Sequence, residues 1–346
     1  MTTSTRAGSV GAQFLALALL WGASYLFIKV SLDGLSPAQV MLGRLALGGA
    51  FLAAVMAVTR RRWPRDARTW RALAAISVFL CVAPFSLYAW AGERIPSGLS
   101  SIYNATTPLA ALLVSLIVLP DERLTRARAW GLVLAFLGVT VVAAPWSALG
   151  TSGDGASLAA QLACLGANVC YGIGFVLSRR LLRGTGHDTL TIAAGQVVVA
   201  TAVGLLVAPF IGGLEPVRLT PSVLGGILVL GTAGTGLAYI LNTRIIAAWG
   251  ATTAATVTYL TPVVGVVLGV LVLGETVHWH EPAGAVLVVL GILVSQGRLG
   301  ARRRPPALAV VPGPGPGAGP QPGPSAGLRR AQRLGSPPAP GSAADV

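Results

Sequence analysis

One ordered set of residues occurs twice in this chain, and any fold must accommodate both copies. Thr107 and Pro108 open an apolar run that closes at Glu122, and Gly131 and Gly138 punctuate the next one. Thr261, Pro262, Glu275, Gly284 and Gly291 repeat that order. The prolines lie 154 positions apart and the glutamates and both glycine pairs 153 apart, so the first copy carries one extra residue around Pro120 and Asp121. The beginnings also match: Trp21, Gly22, Tyr25 and Lys29 are echoed by Tyr171, Gly172, Phe175 and Arg179, and Gly43 and Arg44 by Gly195 and Gln196. Corresponding positions in a repeat have to be explained together.

The repeat unit is built of apolar runs. Charged residues make up 10% of the 346 residues and hydrophobic ones 54%, with a mean hydropathy of +0.73, whereas soluble domains are about a quarter charged. Runs of about 20 residues cross a bilayer at 1.5 Å per residue. They fall at 11–30, 37–58, 70–91, 97–119 and 128–145, and again at 158–178, 188–209, 221–241, 251–273 and 282–297. The expected fold is therefore all-α and integral to the membrane, with ten transmembrane helices in two five-helix repeats, 12–145 and 158–297. The first run is too long for a signal peptide and recurs in the second copy. Residues 1–11 read as a cytoplasmic terminus, of which 1–10 are polar and expected to be disordered, and 298–346, rich in Pro and Gly, as a cytoplasmic tail unable to build a core.

A net charge of +14 would suggest nucleic acid in a soluble chain, but the placement of the charge excludes it. Of 25 basic residues, 21 fall on the amino-terminal side of the spans and only Arg94 and Arg218 in the opposite loops; Lys29 and Arg44 lie within spans. Such a split sets both termini in the cytoplasm. Five spans per copy reverse the second relative to the first, giving inverted repeats, an architecture that places a substrate site near the bilayer midplane. The expected partners are the lipid bilayer and a small-molecule substrate, and a homodimer is compatible with this reading.

Residues costly to bury point to the pathway. Pro108 and Pro262 each free the carbonyl four residues earlier, on Asn104 and Thr258, and unpaired backbone at that depth is tolerated against protein or a water-lined cavity. Arg44 lies seven residues into its span, about 10 Å deep; Gln196 holds the comparable place in the second copy. Its structural alternative is a cap on freed carbonyls or a pair with Glu93. Trp21, Tyr25, Tyr239 and Tyr259 add aromatic faces with polar tips, and the hydroxyls of Tyr103, Tyr239 and Tyr259 need partners at depth. Trp90 and Tyr171 read as interfacial anchors, and Lys29 can snorkel outward. Glu122 and Glu275 are expected at the start of the helix that follows each.

Other signals are structural. The glycines of Gly231-Thr-Ala-Gly-Thr-Gly236 lack the strand and lysine of a phosphate loop and read, like Gly265 and Gly269, as close helix packing. Glu275, His278, His280 and Glu281 form a short outer turn, with Glu281 and Pro282 suited to a helix start; no metal site is assigned. Cys81, Cys164 and Cys170 have neither disulfide nor metal spacing. No cofactor or enzyme motif is present, which leaves a membrane enzyme, channel or scaffold as the rivals to a carrier.

The Trp-Gly-x-x-Tyr of Trp21 to Tyr25, the arginine of the second span (Arg44) and the paired Pro-to-Glu segments together resemble the EamA-type branch of the drug/metabolite transporter superfamily, over about residues 12–297. Pro120-Asp121-Glu122 departs from the Leu-Gly-Glu usual there. The resemblance implies ten helices, cytoplasmic termini and carriage of small metabolites, often export of amino acids or related compounds across the cell membrane.

Overall fold

A computed structural model of the protein describes residues 2–119, 123–144, 155–211, 215–250 and 254–297, with side chains described from residue 10 and, at the start of the second copy, from residue 157. Glu122, most of the polar interval between the copies and the carboxy-terminal tail lie outside the described residues. The spans are α1 (Val10–Leu32), α2 (Pro37–Val58), α3 (Ala67–Gly92), α4 (Ser97–Val118), α5 (Arg126–Ala143), α6 (Ser157–Leu181), α7 (Thr189–Phe210), α8 (Pro221–Trp249), α9 (Ala255–Leu273) and α10 (His280–Ser295). The first nine are long and apolar enough to cross a membrane; α10 is a shorter apolar helix. Among the described residues there is no strand. This is the expected all-helical, ten-helix membrane fold.

Local chemistry explains where the helices begin. Ser36 and Gln39 form a reciprocal capping box ahead of Pro37 at the start of α2, which satisfies two orphan N–H groups at once. Asp66, Thr125, Asp188 and Thr220 cap α3, α5, α7 and α8 one-sidedly, each accepting the N–H three residues on. The amino terminus departs from expectation: the first helix starts at Thr2 rather than after a disordered segment. Adding residues to an already nucleated helix is far easier than starting one.

The packing is symmetric. α1 lies against α8 and α9, and α6 against α3 and α4; α2 meets α7 and α8, while α7 meets α2 and α3; α4 pairs with α9 and α5 with α10. Exchanging each helix of one repeat for its counterpart in the other converts every one of these contacts into another of them or into itself. Because successive spans alternate direction and each repeat has five, counterparts run in opposite senses.

The repeated glycines form one seam of this arrangement. Gly131 of α5 faces Gly291 of α10, and Gly138 faces Gly284. A β-carbon on Gly131 would lie 2.5 Å from the Gly291 carbonyl oxygen, and one on Gly284 would lie 2.6 Å from that of Gly138. Only bare backbone fits there, which lets the two helices approach closely without a hydrophobic driving force between them. Gly231 and Gly236 seat α8 on Leu47 and Phe51 of α2, and Gly234 faces Ser24 of α1, so the phosphate-loop lookalike does serve packing.

On the amino-terminal side, the loop after α2 is tied to the loop before α7. Arg61 pairs with Asp188 at 2.5 Å, and His187 lies 3.5 Å from Asp66. The N–H of Thr69 holds the Asp66 carboxyl below the usual carboxylate range, aided by His187. Partial burial raises Asp188, but the Thr191 N–H and Arg61 outweigh it, and its net pKa is lowered too. A depressed carboxylate stabilises the fold fully above its unfolded pKa, about 3.9, and loses that contribution as pH falls through the folded value. Asp188→Ala should cost about 1 kcal/mol at pH 7 as a lost helix cap, and its deficit in melting temperature relative to wild type should shrink below about pH 4. An equal deficit at pH 7 and pH 3 would show that the carboxylate charge is irrelevant to this link.

Candidate functional site

Two helices widen at equivalent places. Val78–Val82 in α3 and Thr232–Leu237 in α8 are π-helical, a local form that inserts an extra residue and recurs at functional sites. Each wide turn meets the polar residue of a helix in the other repeat. In α8, Thr235 accepts a hydrogen bond from Arg44 Nε at 2.9 Å while donating to the Leu230 carbonyl at 3.2 Å. In α3, Cys81 Sγ accepts from Gln196 Nε2 at 3.2 Å, and the Tyr239 hydroxyl lies 3.8 Å from the same sulfur. Arg44 and Gln196, matched by register alone, are thus matched in surroundings.

Arg44 is only 9% exposed, and its guanidinium stacks 3.8 Å from the centre of the Phe85 ring. The phenols of Tyr25, Tyr171 and Tyr239 lie within its electrostatic range. Glu93 is not its partner: that carboxylate pairs with Arg94 at 2.5 Å. Nor does Arg44 cap a carbonyl. Among the described residues its two terminal nitrogens have no protein hydrogen-bond partner and are not among the fully enclosed unpaired polar atoms, so a cation costly at this depth keeps an accessible outer edge. Tyr171, expected at the interface, instead packs between the two largest core clusters.

The proline breaks are resolved more completely than expected. Thr107 Oγ1 donates to the Asn104 carbonyl at 2.7 Å, and Thr261 Oγ1 to that of Thr258 at 2.9 Å. The threonine preceding each proline thus satisfies the acceptor the proline frees, and neither carbonyl is left to line a cavity. In α4 the break is further held by Asn168, fully buried and unrecognised from sequence. Its Nδ2 donates to the Tyr103 carbonyl at 2.7 Å and to Thr106 Oγ1 at 2.8 Å; its Oδ1 accepts from Tyr88 at 2.8 Å and Thr107 at 3.0 Å. Tyr88 also meets Tyr25 edge to face, 5.4 Å between ring centres, which joins the α4 break to the surroundings of Arg44.

The remaining candidates fall elsewhere. Trp21 packs with the α1, α8 and α9 cluster around Leu17 and Val257. The Tyr259 hydroxyl accepts from Gln296 at 2.8 Å, and that of Tyr103 donates to Gln161 at 2.9 Å. Pro262 is buried, while Pro108 lines a pocket of about 350 Å³ with Thr125, Arg128 and Gln296. Lys29 does not snorkel; its Nζ donates to the Gly92 and Ile95 carbonyls at 2.7 and 3.2 Å, at the end of α3, where a cation suits the helix terminus. Glu275 does not serve the helix that follows it. Its carboxylate accepts from the N–H groups of Ser97 and Gly98 at 2.6 and 3.0 Å and from the Ser97 hydroxyl at 3.0 Å, capping α4 in the other repeat. Glu281 takes the first turn of α10, as expected, 3.7 Å from His278.

Inverted five-helix repeats that enclose a cation at their junction define a membrane protein of the carrier type. The comparisons make the class specific. The EamA-like transporter family profile matches residues 10–144 and 158–296, and the chain belongs to that family. It is 25% identical to an uncharacterized transporter of Archaeoglobus fulgidus over 82% of this chain and 98% of the relative. It is 26% identical to a probable terminal-alkyne amino-acid exporter of Streptantibioticus cattleyicolor, over 82% of this chain and 92% of the relative. The uncharacterized inner membrane transporter YedA of Escherichia coli K12 is also 26% identical, over 83% and 90%. A solved crystal structure, 21% identical, superposes with a TM-score of 0.58 over 85% of this chain and 99% of that one, a likeness of fold alone.

Proposed function

We propose that the protein is a secondary transporter of the cell membrane that exports a small carboxylate-bearing metabolite, an amino acid or a related compound, by alternating access. One observation carries this reading: a deep guanidinium, fixed through Nε and by stacking, keeps both terminal nitrogens unpartnered. Those nitrogens suit a carboxylate held by two parallel hydrogen bonds. The amino-acid exporter among the relatives supports the substrate class. The wide turns beneath Arg44 and Gln196 supply places where the repeats can shift against each other.

Uptake into proteoliposomes of a labelled carboxylate set, with Arg44→Gln as control, tests the carrier function; uptake that persists unchanged in the variant would remove Arg44 from the pathway. The arginine distribution supports a cytoplasmic position for both termini. Reporter fusions after Trp146 and Trp279 should report the outer face, and one after Arg183 the inner face. A cytoplasmic signal after Trp279 would overturn that orientation.

A further inference from the structure

We propose that Glu275 is a latch: its carboxylate holds the bundle shut on the side opposite the termini, and it must release Ser97 and Gly98 before the protein can open there. The proposal rests on the alternating-access reading and adds to it a named gate and a resting form.

One helix pair is closed at one end and parted at the other. α4 and α9 are counterparts in the repeat and run alongside each other. On the side opposite the termini, Ser97–Asn104 at the start of α4 packs along Thr261–Leu273 of α9, and every residue from Ser97 to Tyr103 is buried. The symmetry of the repeat would pair the start of α9 with the rest of α4 in the same way on the side of the termini. Among the described residues, however, Ala255–Tyr259 and Thr107–Val118 have no comparable packing, and of Ala255–Tyr259 only Val257 is buried. The pocket of about 350 Å³ beside Pro108 and Leu112 lies on this parted side, where α5 begins and α10 ends.

Glu275 stands where the closed end is sealed. α9 stops at Gly274, whose φ of 65° suits glycine, and the Glu275 N–H turns back to the Gly269 carbonyl at 3.1 Å. That turn aims the carboxylate at α4, where the Ser97 and Gly98 N–H groups and the Ser97 hydroxyl donate to it. Gly265 and Gly269 leave no room for a β-carbon against Ser101 and Glu275, so the two helices are drawn close around the clamp. Hydrogen bonds to a carboxylate are the strong kind. All three join one repeat to the other, and parting the helices at this end breaks them together.

The test follows two added cysteines, one per chain, by the rate at which a water-soluble maleimide labels the purified full chain. Ser101→Cys reports the closed end and Leu112→Cys the pocket on the parted side; labelling of the native cysteines is measured on the chain lacking either. Glu275→Ala should shift the balance between the two forms about a hundredfold, from roughly one in a hundred open opposite the termini to about half. Labelling at position 101 should then rise more than about tenfold while labelling at 112 falls about twofold. Glu275→Gln, which keeps the side-chain volume should the alanine variant fold poorly, should move both rates the same way. Thr220→Ala removes a helix cap on the same side but within one repeat, and should leave both rates unchanged. A rise at both positions marks local fraying; that result, or no change at either, would overturn the latch and leave the carrier reading standing. The carrier reading fails separately, by absence of uptake in the wild-type protein.

Discussion

Arg44→Gln should lower the transport rate of a carboxylate substrate about a hundredfold, because two charge-assisted hydrogen bonds of roughly 1.5 kcal/mol each disappear. The folded protein should scarcely notice. The substitution gives up one hydrogen bond to Thr235 and the stack on Phe85, yet it also removes a cation whose burial is unfavourable. No carboxylate partner is stranded by the change, since Glu93 is held by Arg94. Melting temperatures of wild type and variant should therefore agree within a few degrees. Lysine should restore little, because a point charge reproduces neither the planar fork nor the ring stacking. A variant that transports normally, or one that unfolds several degrees earlier while retaining its rate, would assign Arg44 to structure instead.

The largest loss of stability is expected at the glycine seam. In Gly284→Leu the new side chain begins 2.6 Å from the Gly138 carbonyl oxygen and 2.5 Å from Val142. Backbone cannot swing aside as a flexible side chain can, so α5 and α10 must separate. The cost should exceed the 1–3 kcal/mol, roughly, of ordinary overpacking. Gly131→Leu should behave alike, as its β-carbon would meet the Gly291 carbonyl oxygen at 2.5 Å. Gly225 is the control: it too lies in a helix, but nothing stands within 4 Å of its added carbon. Thermal unfolding followed by size-exclusion chromatography would separate the cases, and the seam has no structural weight if Gly284→Leu melts with Gly225→Leu.

Hydrophobic length and the register of the repeat were enough to locate the ten helices, because crossing a bilayer requires long, nearly uncharged runs. The four glycines of the seam were visible as markers of the repeat, but their close approach was not, because it depends on which two helices meet. Less legible were features that depend on a partner far along the chain. Glu275 follows α9, and local electrostatics points it at the next helix; the fold instead presents it with the exposed N–H groups of Ser97 and Gly98. Asn168 carries no signal in α6, and its value lies in sitting opposite the α4 break. The π-helical turns leave no pattern in residue type. Arg44 and Gln196 were identifiable by depth and register, whereas Phe85, Thr235 and Cys81 became meaningful only through what they touch. The unpaired carbonyls inferred from Pro108 and Pro262 failed for a local reason, the threonine that precedes each.

The exchange symmetry of the helix contacts has a thermodynamic corollary. In an alternating carrier made of two identical copies, the inward-open and outward-open forms would be one structure viewed from opposite sides, equal in energy and equally populated. Any bias between them must come from positions where the copies differ. Asn168, which pins the break in α4, corresponds to Ala18 in the first copy, and Arg44 corresponds to Gln196. Making the copies alike at these two positions should move the resting equilibrium toward an even mixture, so the face that the protein opens at rest is set among the residues at which its copies differ.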